Sequence, residues 1–159
     1  MNGIILLVHA PLASAMLDCI SHIYGNIPDN ILPIDIHGDE PQGLVHNTIN
    51  AWINHKKYDG YLILNDLYGA SPFNIGKNFI DKYQLKQTNY NSINTAPSIL
   101  MLTGLSLPML MKSMCHQRLK LEDMAQKSLE GILQCSSIIK NQINTNINKD
   151  SISHKACKA

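Results

Sequence analysis

Several features are missing from this 159-residue sequence, and each absence removes a class of function. Thirteen Lys and Arg stand against 12 Asp and Glu, a formal net charge of +1. No Lys/Arg-rich run stands out, which argues against a nucleic-acid footprint or a basic membrane-binding face. The partners left are proteins or small molecules. Cys19, Cys115, Cys135 and Cys157 form no CxxC pair, so no metal ribbon is indicated, and the start MNGIILLVHAP has no basic stretch ahead of its apolar run to mark a secretory signal. Cysteine usage of this kind places the chain in a reducing cytoplasm. No apolar run approaches the roughly 20 residues that a membrane-spanning helix needs, so a soluble protein is expected. There is no internal repeat, and the length suits one domain with a single core.

What is present is a set of short apolar runs. Residues 3 to 8 (GIILLV), 60 to 64 (GYLIL) and 98 to 102 (SILML) are continuously apolar, as strands buried on both faces of a parallel sheet are, and they are read as central strands. The run NILPIDIHG at 30 to 38 alternates instead, and Pro33 removes a ladder donor, so this strand belongs at an edge. Helical spacing fills the intervals. Residues 12 to 24 place Leu12, Met16, Cys19, Ile20 and Ile23 on one face, with Gly25 as a stop. Residues 41 to 57 open on Pro41, suited to a first turn, and align Val45, Ile49, Trp52 and Ile53. Residues 71 to 83 open with Ser71 as N-cap and Pro72 behind it, and 107 to 116 and 121 to 139 complete the set. The order βαβαβαβαα predicts an α/β fold: a doubly wound, mainly parallel sheet of order 2-1-3-4 with helices on both faces. The polar stretch 84 to 97 reads as a long loop. Residues 1 to 140 form the domain, and 141 to 159 read as a disordered tail.

In such a sheet the chain leaves strand 1 in one direction and strand 3 in the other, opening a crevice at their carboxyl ends where ligands bind. His9 ends strand 1 and Asp66 ends strand 3. The run NDLYGASPFN, 65 to 74, then leads from Asp66 through a Gly69-Ala70-Ser71 turn into a helix, whose N-terminal N–H groups and dipole favour an anion. Pro72 has no N–H, so the donors must come from residues 68 to 71 and the Ser71 hydroxyl. A neutral imidazole is a competent nucleophile when one ring nitrogen is free and the other holds the proton, and a carboxylate fixes that tautomer. With Asp66 holding one N–H of His9 and the loop binding oxygens, the constellation suits phosphoryl transfer to and from His9.

The segments LLVHAPLA, LILNDLYGASPFN and TGLSLPMLMKSM, in this order and spacing, resemble the enzyme IIA domain of the mannose family of the bacterial sugar phosphotransferase system, over roughly residues 3 to 139. The resemblance implies a cytoplasmic homodimer in sugar transport. Its histidine takes a phosphoryl group from the phosphocarrier HPr and passes it to a IIB protein. It further implies that His9 is phosphorylated, that Asp66 is its hydrogen-bonding partner, and that Ser71 and the backbone of Leu67, Tyr68, Gly69 and Ala70 bind the phosphoryl oxygens. No metal or other cofactor is implied. A C-terminal strand exchanged between subunits also belongs to the resemblance, but CHQRLKLEDMAQ does not reveal it.

The sequence departs from the family at Ala10-Pro11, where glycine often follows the histidine; a side chain is added and an N–H removed beside the phosphate. The 84 to 97 loop and the tail are extra, and no IIB or membrane domain is fused, so transfer must run between separate chains. Two other functions compete: a regulatory module in which phosphorylation of His9 is a signal without transport, and an anion-binding domain that never forms phosphohistidine. A dihydroxyacetone-kinase phosphodonor is chemically close, but SPFN fits the mannose type better. The remaining histidines make no metal set: His46 and His55 share no helix face, and His22, His37, His116 and His154 form no ligand pair. Cys19 and Cys135 read as inert residues on apolar helix faces, and Met101, Met109, Met111, Met114 and Met124 as core or interface filling.

Overall fold

The computed structural model describes residues 1–89 and 97–138. Its elements in chain order are β1 (Gly3–His9), α1 (Leu12–Tyr24), β2 (Ile31–Ile36), α2 (Gln42–Lys56), β3 (Gly60–Asn65), α3 (Ser71–Asn89), β4 (Ser98–Thr103), α4 (Leu107–Cys115) and α5 (Leu121–Gln134). The four strands are all parallel in the order β2-β1-β3-β4, the doubly wound α/β arrangement expected.

Each strand of the central pair sends alternate side chains to two separate cores. From β1, Ile4, Leu6 and Val8 pack with Leu62 and Leu64 of β3 against Ala13 and Ile20 of α1, Met109 and Leu110 of α4 and Met124 of α5. Ile5 and Leu7 pack with Tyr61 and Ile63 against Val45, Ile49 and Ile53 of α2 and Ile75 and Phe79 of α3. Double-sided cover is why both runs are unbroken in the sequence. Burying each such Ile or Leu stabilises the fold by about 1.5–3 kcal/mol.

Several boundaries and faces differ from the sequence reading. β4 is not central: among the described strands it pairs only with β3, yet it reads as apolar because α3 and α5 cover it. The helix opened by Ser71 does not stop at 83. It continues to Asn89, so residues 84 to 89 are helical rather than loop. The rest of that loop, 90 to 96, lies outside the described residues, as does the tail expected from 141. α5 ends at Gln134, not at 139, with the Cys135 N–H closing the last turn on Gly131 O. Pro41 is the N-cap of α2 rather than a first-turn residue. On α1 the buried stripe is Ala13 and Ile20 with Met16 and Leu17 beside them. Cys19 and Ile23 face outward, and Cys135 is also exposed.

Candidate functional site

Strand ends place the site. β1 stops at His9 and β3 at Asn65, so that the next residue, Asp66, turns its side chain toward His9. The His9 Nδ1 and Asp66 Oδ2 atoms are 2.7 Å apart, and the same oxygen accepts the His9 backbone N–H at 3.1 Å. The Leu67 N–H donates to Asp66 Oδ1 at 2.9 Å. Burial of Asp66 works to raise its carboxyl, but the bonds from the His9 ring and backbone, the charge of that ring and the Leu67 N–H together hold it below the ordinary value of 3.8. The carboxylate is therefore ionised at neutral pH and can only accept, which makes Nδ1–H the donor. His9 Nε2 takes part in no hydrogen bond among the described residues. The imidazole side chain is 46% exposed above a carboxylate only 15% exposed.

The loop after Asp66 supplies the anion-binding face. Ser71 is the first residue of α3, rather than its N-cap, and Pro72 follows it, since the first helical bond runs from the Asn74 N–H to Ala70 O. The loop is braced from inside: Asn74 Nδ2 donates to Gly69 O, Gly69 adopts φ +79, and the Tyr68 ring packs on Phe73 with centroids 4.5 Å apart. Of the predicted donors, Leu67 N–H is engaged by Asp66 and Ala70 N–H by Leu67 O. Among the described residues no hydrogen bond occupies the N–H groups of Tyr68, Gly69 and Ser71. With the dipole of the 19-residue α3 behind them, these donors can hold the oxygens of an anion. Leu67 and Tyr68 are 60% and 75% exposed, so the site is an open surface flanked by apolar side chains.

Two further residues shape the site, and the sequence reading missed them. Asp35 on β2 caps the neighbouring helix: α1 has no cap of its own at Pro11, and Asp35 accepts the N–H groups of Ala13 at 2.7 Å and Ser14 at 3.1 Å together with the Ser14 hydroxyl. The positive end of α1 is thus already neutralised, leaving that of α3 for a ligand. Ala10 N–H also donates to Ile36 O, so the Ala10-Pro11 turn after His9 is tied to β2. Asn65 is fully buried and its Nδ2 donates to Leu7 O at 2.8 Å. An acidic residue in an edge strand was the available signal for Asp35; nothing in the sequence marked Asn65.

Among the other histidines, His46 is buried between α2 and α3, where its Nε2 meets Ile75 O at 3.1 Å. Among the described residues no three His, Cys, Asp or Glu side chains gather as a metal ion would require, and no helix is long and apolar enough to cross a membrane.

Comparison with known proteins bears on the family and the fold. The family EIIA-man, described as PTS system fructose IIA component, matches residues 3–129. The fold resembles the phosphotransferase system component EIIA from Streptococcus agalactiae, with TM-score 0.66 and 21% identity over 87% of this chain and 97% of that one. It also resembles the mannose/sorbose specific IIA subunit from Enterococcus faecalis, with TM-score 0.65 and 17% identity over 90% of this chain and 98% of that one. A sigma-54 interaction domain protein from Enterococcus faecalis shares the fold at TM-score 0.59 and 17% identity, over 84% of this chain and 93% of that one. At these identities the likeness is one of fold. No curated protein sequence matches the chain.

Proposed function

The chain belongs to the EIIA-man family of phosphotransferase-system IIA components, and from that premise we propose that it is a histidine phosphocarrier. It accepts a phosphoryl group from HPr on Nε2 of His9 and passes it to a separate IIB protein in sugar transport. What carries this reading is one arrangement: a half-exposed imidazole whose Nδ1–H is held by an ionised Asp66, the residue that opens the loop into α3, and whose Nε2 makes no hydrogen bond among the described residues.

In the transfer the Nε2 lone pair forms a bond to phosphorus while the donor's N–P bond breaks and its electron pair returns to the donor nitrogen. No proton has to move. The ring, still carrying its Nδ1–H, becomes positively charged, and Asp66 offsets that charge. The N–H groups of Tyr68, Gly69 and Ser71, with the Ser71 hydroxyl, hold the oxygens, and this preorganised charge complementarity carries most of the catalysis. Onward transfer is the same step reversed to a different acceptor. An exposed site rimmed by Leu67 and Tyr68 suits a protein that brings the phosphoryl group on its own side chain. The active form in this reading is a cytoplasmic homodimer, with the edge of β4 that no described strand covers and the exposed Leu129, Leu133 and Ile138 available to a second copy.

The test is incubation with phosphoenolpyruvate, enzyme I and HPr, followed by intact-mass analysis. The expected result is a gain of one phosphoryl mass that acid removes, that a His9→Ala control lacks, and that a IIB protein discharges. A folded protein that gains no mass would refute the phosphocarrier reading. A protein that gains the mass but yields it to no IIB would leave phosphorylation itself as the signal.

A further inference from the structure

The seam between β1 and β3 opens earlier than the seams on either side. Main-chain register between them ends at Leu6 opposite Leu64, whereas β1 stays in register with β2 as far as His9 opposite Ile36. On its other side, β3 stays with β4 as far as Asn65 opposite Thr103. Past Leu64, the side chains of two consecutive residues replace the ladder. Asn65 Nδ2 donates to Leu7 O at 2.8 Å, and Asp66 Oδ2 accepts His9 N–H at 3.1 Å. Leu7 C=O and His9 N–H, two residues apart, face the same side of β1 and are the groups a continued ladder would have used.

Asn65 is held from both sides. Its main-chain oxygen accepts the Leu105 N–H at 2.9 Å while its amide reaches across to β1. Yet its Oδ1, fully buried, has no hydrogen-bond partner among the described residues, and an orphaned acceptor costs about 1–3 kcal/mol. An apolar side chain would remove that orphan but leave Leu7 O without its donor, so what the amide contributes is the bond across to β1. Local rules are broken in this way where geometry is at stake.

The geometry points to Asn65 as a positioning residue. Its amide spaces the ends of β1 and β3 so that the imidazole Nδ1 and the backbone N–H of His9 both meet one oxygen of Asp66. That spacing selects the Nδ1–H tautomer and leaves Nε2 free. Its consequence for catalysis rests on the phosphocarrier reading; its geometry does not.

The test uses the full chain with 15N-labelled histidine, unphosphorylated and at about pH 8, where the carboxylates are ionised. Wild type is compared with Asn65→Ala, which removes the amide without adding charge or bulk, and with Asn65→Leu, which removes it while keeping most of the volume. In both variants the His9 signature is expected to shift from Nδ1–H toward Nε2–H. The rate of phosphorylation by phospho-HPr should fall about tenfold or more, the scale on which small misplacements are felt. Should Asn65→Leu fail to fold, the smaller Asn65→Ala decides alone. A folded variant that keeps the wild-type tautomer overturns the proposal, whatever its stability, because a merely structural residue would behave so. If wild type itself takes no phosphoryl group, the phosphocarrier reading fails while the tautomer comparison still decides the role of Asn65.

Discussion

Asp66 accepts three hydrogen bonds, two of them from His9, and this concentration on one carboxylate has two measurable consequences. Asp66→Asn keeps an acceptor but removes the charge that offsets the phosphorylated ring, so the transfer rate should fall about 100-fold or more while the fold survives. The second consequence is acid dependence. Because the folded carboxyl lies below its ordinary 3.8, its contribution to stability is fully present above that value and is lost as pH falls through the lowered one. Urea midpoints measured from about pH 6 down to pH 2.5 should therefore drop less steeply for Asp66→Asn than for wild type; parallel curves would mean that the carboxylate is not held as described. His9 and Asp66 were legible in the sequence because each is a polar residue terminating an apolar run. The hydrogen bonds of the loop were not: which N–H groups stay free depends on how Asp66 and Leu67 fold back, and Leu67 and Ala70 spend theirs internally.

At the scale of elements, α1 depends on a cap supplied from another strand. Asp35→Ala should lower stability by about 1–2 kcal/mol, seen as a shift of the denaturation midpoint at unchanged slope, because two N–H groups and the Ser14 hydroxyl lose their acceptor. An unshifted midpoint would remove Asp35 from the account. α5 lies close on α4 at Gly131, where an added Cβ would come within 2.8 Å of Pro108 O and Lys112 Cγ. Gly131→Ala gains about 0.5–1 kcal/mol of helix propensity but meets a backbone atom that cannot swing aside, an overpacking cost of about 1–3 kcal/mol. Net destabilisation is expected, and a stabilised variant would show that the helices can separate without loss. Periodicity located every helix but set ends and faces less well. Residues 84 to 89 read as loop because their polar sequence carries too little apolar periodicity to mark a helix. On α1, Leu12, Met16 and Ile20 do lie toward the core, and Ala13 and Leu17 rather than Cys19 and Ile23 complete the face.

For the whole molecule, strand order followed from continuous against alternating apolar runs together with right-handed crossovers. The exception is β4, whose cover by α3 and α5 makes an edge strand look central. Among the described strands β4 has a free edge, and Leu133 and Ile138 are 81% and 87% exposed, both of which bear on assembly. Light scattering after size-exclusion chromatography should give twice the mass of the chain, and Leu133→Glu should shift the population toward monomer; a wild-type monomer at micromolar concentration would contradict the dimer. The central claim concerns one atom, the Nε2 of His9. Its most direct test is 15N and 31P NMR of the phosphorylated, histidine-labelled chain. The account predicts phosphorus bonded to His9 Nε2 with a proton still on Nδ1. Phosphorus on Nδ1, on another residue, or on none would contradict it.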